Sequence, residues 1–169
     1  MKINLVLTGM MGVGKSTVGK VLSKSLSMGF LDIDKIIEKE LKMPIREIFE
    51  SKGEAFFREF EEKITLQQIK KKNSVISLGG GAFMNSNIRK NILLNNKSFW
   101  LDLNLILLEK RLLNSKNRPL LSDKNFRETL KKIYNKRKGT YATANYKINC
   151  NNLSSKLIVD EIIKLYANH

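Results

Sequence analysis

The feature that most constrains this chain is the octet GMMGVGKS, Gly9 to Ser16, which follows directly on an apolar run beginning at Ile3. It satisfies G-x-x-x-x-G-K-[ST] in the strand, loop, helix setting that gives the pattern its meaning. Gly12 and Gly14 let backbone amides turn inward around phosphate oxygens, and a helix opening near Lys15 aims its positive dipole end at them. Lys15 is placed to reach the β- and γ-phosphates of a nucleotide, and the Ser16 hydroxyl to ligate Mg²⁺. The expected nucleotide contacts are therefore Gly12, Val13, Gly14, Lys15, Ser16 and Thr17.

A phosphate loop after a first strand predicts a parallel sheet, and the remaining sequence supplies one. Short apolar runs bounded by glycine or polar turns occur at Ile3 to Thr8, Phe30 to Asp32, Ser74 to Leu78, Ser98 to Leu103 and Tyr146 to Asn149. Segments of helical periodicity lie between and after them, at Lys15 to Leu26, Ile33 to Leu41, Glu54 to Lys70, Ser86 to Asn95, Leu105 to Leu113, Phe126 to Tyr141 and Ser154 to Tyr166. Alternation of this kind reads as α/β, a three-layer α/β/α arrangement around a five-stranded parallel sheet. With 169 residues and an apolar fraction of 42%, one domain spanning 1–169 is expected. The stretch 114–124 has no apolar stripe and holds Asn, Ser, Lys, Arg and Pro, so it reads as a mobile lid loop.

Composition narrows the chemistry. The only cysteine is Cys150 and the only histidine is His169, so a disulfide framework and a Cys/His zinc site are both excluded within one chain. Acid and base work must fall to carboxylates or lysines. No stretch approaches the roughly 20 apolar residues of a membrane span, so a soluble, cytoplasmic protein without membrane partners is expected. The formal charge of +15 suits anionic small molecules as well as nucleic acid. No aromatic platform is interleaved with Lys70, Lys71 and Lys72 or with Lys131 and Lys132, so no nucleic-acid partner is expected.

The second strand ends in Asp32-Ile33-Asp34, and alternate residues of an extended segment face one side, so two carboxylates are expected together at the carboxyl edge of the sheet. One could serve Mg²⁺ and the other an acceptor hydroxyl; helix capping is the plainer alternative. Gly79, Gly80 and Gly81 follow the third strand, where bare backbone would let an anionic ring approach closely. On the predicted helix from Glu54, Arg58 lies one turn from both Glu54 and Glu61, and Glu61 could hold it by a hydrogen-bonded ion pair. A loop arginine, Arg118, precedes Pro119 and could fold over bound nucleotide to neutralise charge on a transferred phosphoryl group. No guanine-reading NKxD is present, and no apolar strand ends in the paired acids of motor-type ATPases, which leaves small-molecule kinases.

In order along the chain, FLDID, KIIEKELKMPIREIF, KGEAFFREFEEKI, VISLGGGA and NRPLL resemble the successive motifs of shikimate kinases, from Gly9 to Tyr141. The resemblance implies a P-loop kinase fold with a substrate-binding helical segment at 33–62. It implies transfer of phosphate from ATP to the 3-hydroxyl of shikimate, one step of chorismate and aromatic amino acid biosynthesis. By the same resemblance Asp32 joins Ser16 at the magnesium ion, Asp34 meets substrate hydroxyls as the catalytic carboxylate, and Arg58 with Arg137 pairs with the substrate carboxylate. Gly79, Gly80 and Gly81 line that site, and Glu61 supports Arg58. Ile45, Phe49 and Phe57 form its apolar wall, Arg118 is the lid arginine, and Arg111 lies near the adenine ring. Tyr141 fills the aromatic position after Arg137. The segment Asn149 to Leu153 departs from the family pattern, with Cys150 and no proline, so no base contact is expected from it. The expected partners are ATP and shikimate, the expected assembly a monomer. The rival readings are a gluconate or nucleoside monophosphate kinase and a nucleic-acid-binding NTPase.

Overall fold

The computed structural model describes residues 3–113 and 125–167. Its first strand, β1 (Leu5–Thr8), leads into helix α1 (Lys15–Leu26), and β2 (Gly29–Asp32) into α2 (Ile33–Leu41) and α3 (Ile45–Gln68). Strand β3 (Ser74–Ser77) follows, then a short 3₁₀ turn at Ala82–Met84, α4 (Ser86–Asn95) and β4 (Lys97–Asp102). Helices α5 (Leu105–Leu113) and α6 (Phe126–Tyr141), strand β5 (Tyr146–Asn149) and α7 (Ser155–Ala167) complete the chain. The strands form one parallel sheet in the order β2-β3-β1-β4-β5. The expected lid at 114–124, with Arg118, lies outside the described residues.

Residues of β1 and β3 are buried throughout, as strands covered by helices on both faces must be, while the edge strands β2 and β5 are only partly covered. Asn4, which interrupts the first apolar run, is fully buried because its side chain is consumed locally. Its amide donates to the Ile69 carbonyl and to Asn96 Oδ1, each at 2.9 Å, and its oxygen accepts from the Ser74 amide at 3.1 Å. A polar residue thus ties the end of α3 and the start of β3 to the lower edge of β1. Among the described residues no helix is long and apolar enough to cross a membrane.

One helical segment was not expected from the pattern. Residues 45–52 form two turns ahead of the anticipated start at Glu54, and Gly53 breaks the helix between them at φ 82°, ψ 167°. Ile45, Ile48 and Phe49 have the i, i+3, i+4 spacing of a helix face, but a stretch this short carries little periodic signal. The break turns the chain so that Phe49, before it, packs against Phe57, after it, with ring centres 4.7 Å apart and the rings tilted by 40°.

Candidate active site

The phosphate loop sits between the end of β1 and the start of α1. Gly14 caps α1 with φ 102°, and the first turn of that helix contains no acidic residue, so its amide dipole is left for an anion. Lys15 is buried, its ammonium donating to the carbonyls of Gly9 and Met10 at 2.9 Å each. Helix α5 braces the loop from behind: Leu112 lies 2.6 Å from where a Cβ of Gly12 would stand, and Arg111 Nη1 donates to the Val13 carbonyl at 3.0 Å. Arg111 is thereby seen to hold the loop itself. Thr17 is exposed in the first turn of α1.

The two aspartates reach the crevice by different routes, which corrects the expectation of an extended Asp-x-Asp. Helix α2 begins at Ile33, so strand alternation ends at Asp32 and Asp34 already lies in a helical first turn. Asp32 caps that helix, Oδ1 accepting from the Lys35 amide at 3.3 Å, while Oδ2 accepts from Ser16 Oγ at 2.6 Å. Capping and a hydrogen bond from Ser16 therefore coexist in one side chain. Ser77 Oγ, 3.5 Å from Ser16 Oγ, joins this group; only its pairing with Asp32 across β2 and β3 would have pointed to it. A hydroxyl and a carboxylate this close make a hard-oxygen corner suited to a divalent cation that retains some of its waters.

Asp34 faces the glycine run. A Cβ on Gly79 would lie 2.6 Å from Asp34 Oδ1 and 2.7 Å from Glu61 Oε1. A Cβ on Gly81 would lie 2.6 Å from Arg58 Nη1, and one on Gly80 would lie 3.1 Å from the Met11 amide nitrogen of the phosphate loop. The three glycines thus clear room for the protein's own functional side chains, besides offering a ligand bare backbone.

Arg58 Nη1 donates to Glu61 Oε2 at 2.7 Å, and Nη2 reaches Glu54 Oε1 at 3.4 Å. Its guanidinium carbon lies 5.2 Å from the centre of the Phe57 ring and 5.9 Å from that of Phe49. Burial alone would lower the Arg58 pKa, but the two carboxylates outweigh it and hold the group above its ordinary value. Glu61 is 2% exposed, and its Oε1 has no hydrogen-bond partner among the described residues. Burial pushes the Glu61 pKa up, only partly countered by Arg58, and the nearby Asp34 charge adds to the rise. On α6, Arg137 Nη1 donates to the Gly80 carbonyl at 3.2 Å, whereas its neighbours Lys136 and Lys138 are exposed. The structure thus distinguishes among three adjacent cations that sequence physics left equivalent. Among the described residues no group of three or more His, Cys, Asp or Glu side chains could hold a metal.

The model of the family described as shikimate kinase matches residues 11–167. The chain belongs to the shikimate kinase family. The shikimate kinase of Sulfurihydrogenibium sp. strain YO3AOP1 is 42% identical over 160 residues, covering 95% of each chain. That of Bartonella quintana strain Toulouse is 41% identical over 165 residues, covering 98% of this chain and 79% of its own. Among solved structures, the shikimate kinase of Acinetobacter baumannii in complex with shikimate superposes with a TM-score of 0.96 at 31% identity, covering 99% of this chain and 94% of that one. A gluconokinase from Sinorhizobium meliloti, covering 98% of this chain and 94% of its own, reaches a TM-score of 0.63 at 14% identity, a likeness of fold alone.

Proposed function

We propose that this chain transfers the γ-phosphoryl group of ATP to the 3-hydroxyl of shikimate, giving ADP and shikimate 3-phosphate. The observation that carries the reading is the convergence of Asp34, Arg58 and Arg137 on three successive glycines whose backbone abuts the phosphate loop at Met11. An anionic acceptor placed there lies beside the γ-phosphate end of a nucleotide held by Gly12 to Thr17.

In this reading Arg58 and Arg137 grip the acceptor carboxylate by charge-assisted hydrogen bonds, and Phe49 and Phe57 supply an apolar wall. Asp34 accepts a hydrogen bond from the attacking hydroxyl. Phosphoryl transfer passes through a loose transition state that needs little base assistance, so orientation is the larger part of its contribution. Lys15 leaves its loop carbonyls for phosphate oxygens. Ser16 and Asp32 are the residues that would hold Mg²⁺, which when bound neutralises charge on the β- and γ-phosphates. Arg118, outside the described residues, would supply a cation to the transferred group, and Arg111, through Val13, steadies the loop at the nucleotide's edge. The chain acts as a single-domain monomer in the cytoplasm.

The test is ADP release with purified protein, Mg²⁺ and ATP, comparing shikimate with gluconate, nucleoside monophosphates and no acceptor. Release should depend on shikimate. Equal rates with and without it, or a preference for gluconate or a nucleotide acceptor, would overturn the assignment.

A further inference from the structure

The three glycine carbonyls are not held alike. That of Gly79 accepts from the Ala82 amide at 3.2 Å and that of Gly81 from the Met84 amide at 3.0 Å, both closing local turns. The Gly80 carbonyl is held by side chains of α6: Arg137 Nη1 donates to it at 3.2 Å, and the Tyr141 hydroxyl donates to the same oxygen. A carbonyl oxygen has two lone pairs and accommodates both donors. Arg137 and Tyr141 stand at i and i+4 on one helix face, which is why they meet one acceptor.

Tyr141 is fully buried, its ring stacked on Trp100 with centroids 6.1 Å apart and its oxygen 3.9 Å from Met10 Sδ in the phosphate loop. The charged groups facing its hydroxyl are Arg137, Arg58 and Glu61. Burial pushes its pKa above the ordinary tyrosine value despite the pull of Arg137 and Arg58, so the group is a neutral O–H donor at any working pH. A run of glycines has little torsional preference of its own, so an unanchored Gly80 peptide could rotate. Its carbonyl is also where Arg137 is docked. A guanidinium carries five N–H donors, so anchoring one of them orients the rest of the fork.

We infer that Tyr141 is a positioning residue for the acceptor site: by fixing the Gly80 carbonyl it sets the direction in which Arg137 presents its guanidinium to a substrate carboxylate. The inference rests on the proposed shikimate reaction.

The experiment is steady-state kinetics of Tyr141→Phe with shikimate and ATP varied separately, beside Tyr134→Phe and the pair of variants in an Arg137→Ala background. Tyr134 lies on the same helix, but its hydroxyl donates to Asp102 at 3.2 Å, away from the glycine run. Loss of one such hydrogen bond corresponds to a roughly five- to tenfold rise in the KM for shikimate. The kcat and the KM for ATP should change by less than about threefold, since neither depends on the grip on the carboxylate. Tyr134→Phe should leave the shikimate KM alone, and in the Arg137→Ala background the effect of Tyr141→Phe should shrink below about twofold because both act through one contact. An unchanged shikimate KM in Tyr141→Phe would overturn the inference. So would a uniform loss in all parameters with a lowered Tm, or an undiminished effect without Arg137. Absence of shikimate-dependent turnover in the unmodified protein would remove the proposed reaction itself, and this inference with it.

Discussion

Replacing Gly79 by alanine should damage catalysis far more than folding. The position is buried but outside the left-handed region, so alanine meets no torsional penalty there. Its methyl, however, would stand 2.6 Å from Asp34 Oδ1 and 2.7 Å from Glu61 Oε1, where each oxygen must retreat by most of an ångström to reach ordinary contact. Neither retreats easily: Glu61 is 2% exposed and tied to Arg58 at 2.7 Å, and Asp34 is a short side chain at the start of a helix. Overpacking of this kind costs about 1–3 kcal/mol, partly offset by the ~0.4–1 kcal/mol that alanine removes from unfolded-state entropy. A net loss of about 1–2 kcal/mol lowers Tm by roughly 2–8 °C in a domain of this size. A catalytic group displaced by about 1 Å loses on the order of 100-fold in rate, or about 2.7 kcal/mol of barrier. Calorimetry and shikimate-dependent ADP release, run on the same preparation, separate the two effects. Gly139→Ala is the control, since no atom lies within 4 Å of its Cβ position and alanine should be neutral or slightly stabilising within α6. A folded Gly79→Ala protein with kcat within about threefold of the parent would refute the idea that this glycine clears space for working carboxylates.

Other expectations follow from the same geometry. Burial raises the Glu61 pKa above its ordinary value of 4.5, so the native state binds the proton more tightly than the unfolded chain. As pH falls through its folded pKa toward 4.5, Glu61 should add stability that is lost again as pH rises; urea midpoints of Glu61→Gln should lack this component, and parallel curves for the two proteins would contradict it. Asp32→Asn, which weakens the oxygen corner shared with Ser16, should raise the Mg²⁺ concentration for half-maximal rate roughly tenfold at fixed ATP, and an unshifted titration would release Asp32 from that role. Cys150 is fully buried and its thiol is pushed up to about 12 by burial, so iodoacetamide at pH 8 should label it only after unfolding in urea; rapid labelling of the native protein would show the end of β5 to be open.

What could be read in the sequence was what neighbouring residues decide. The phosphate loop is a contiguous octet, and helices such as Ser86–Asn95 announce themselves by local periodicity; the structure adds that Asn85 caps that helix, accepting from the amides of Asn87 and Ile88. The Arg58 and Glu61 pair was legible because both lie on one helix three residues apart. The hidden parts depend on distant segments. Tyr141 meets Gly80 across 61 residues, and the clearance at Gly79 exists for side chains from two different helices. The Asp32 and Asp34 geometry differs from the strand-alternation expectation for another reason: α2 begins at Ile33, and whether a strand ends one residue earlier or later decides which way a side chain leaves the backbone.

The break at Gly53 shows where the shape of the acceptor pocket is stored. No atom lies within 4 Å of where its side chain would be, so packing leaves the position vacant, yet φ 82° with ψ 167° is a conformation essentially reserved for glycine. The angle between the Phe49 turn and the Arg58 turn therefore depends on this one backbone conformation, which brings Phe49 against Phe57 and beneath Arg58. A residue whose side-chain position is empty helps set how an aromatic wall meets a cation, and a survey of side-chain interactions alone would pass it by.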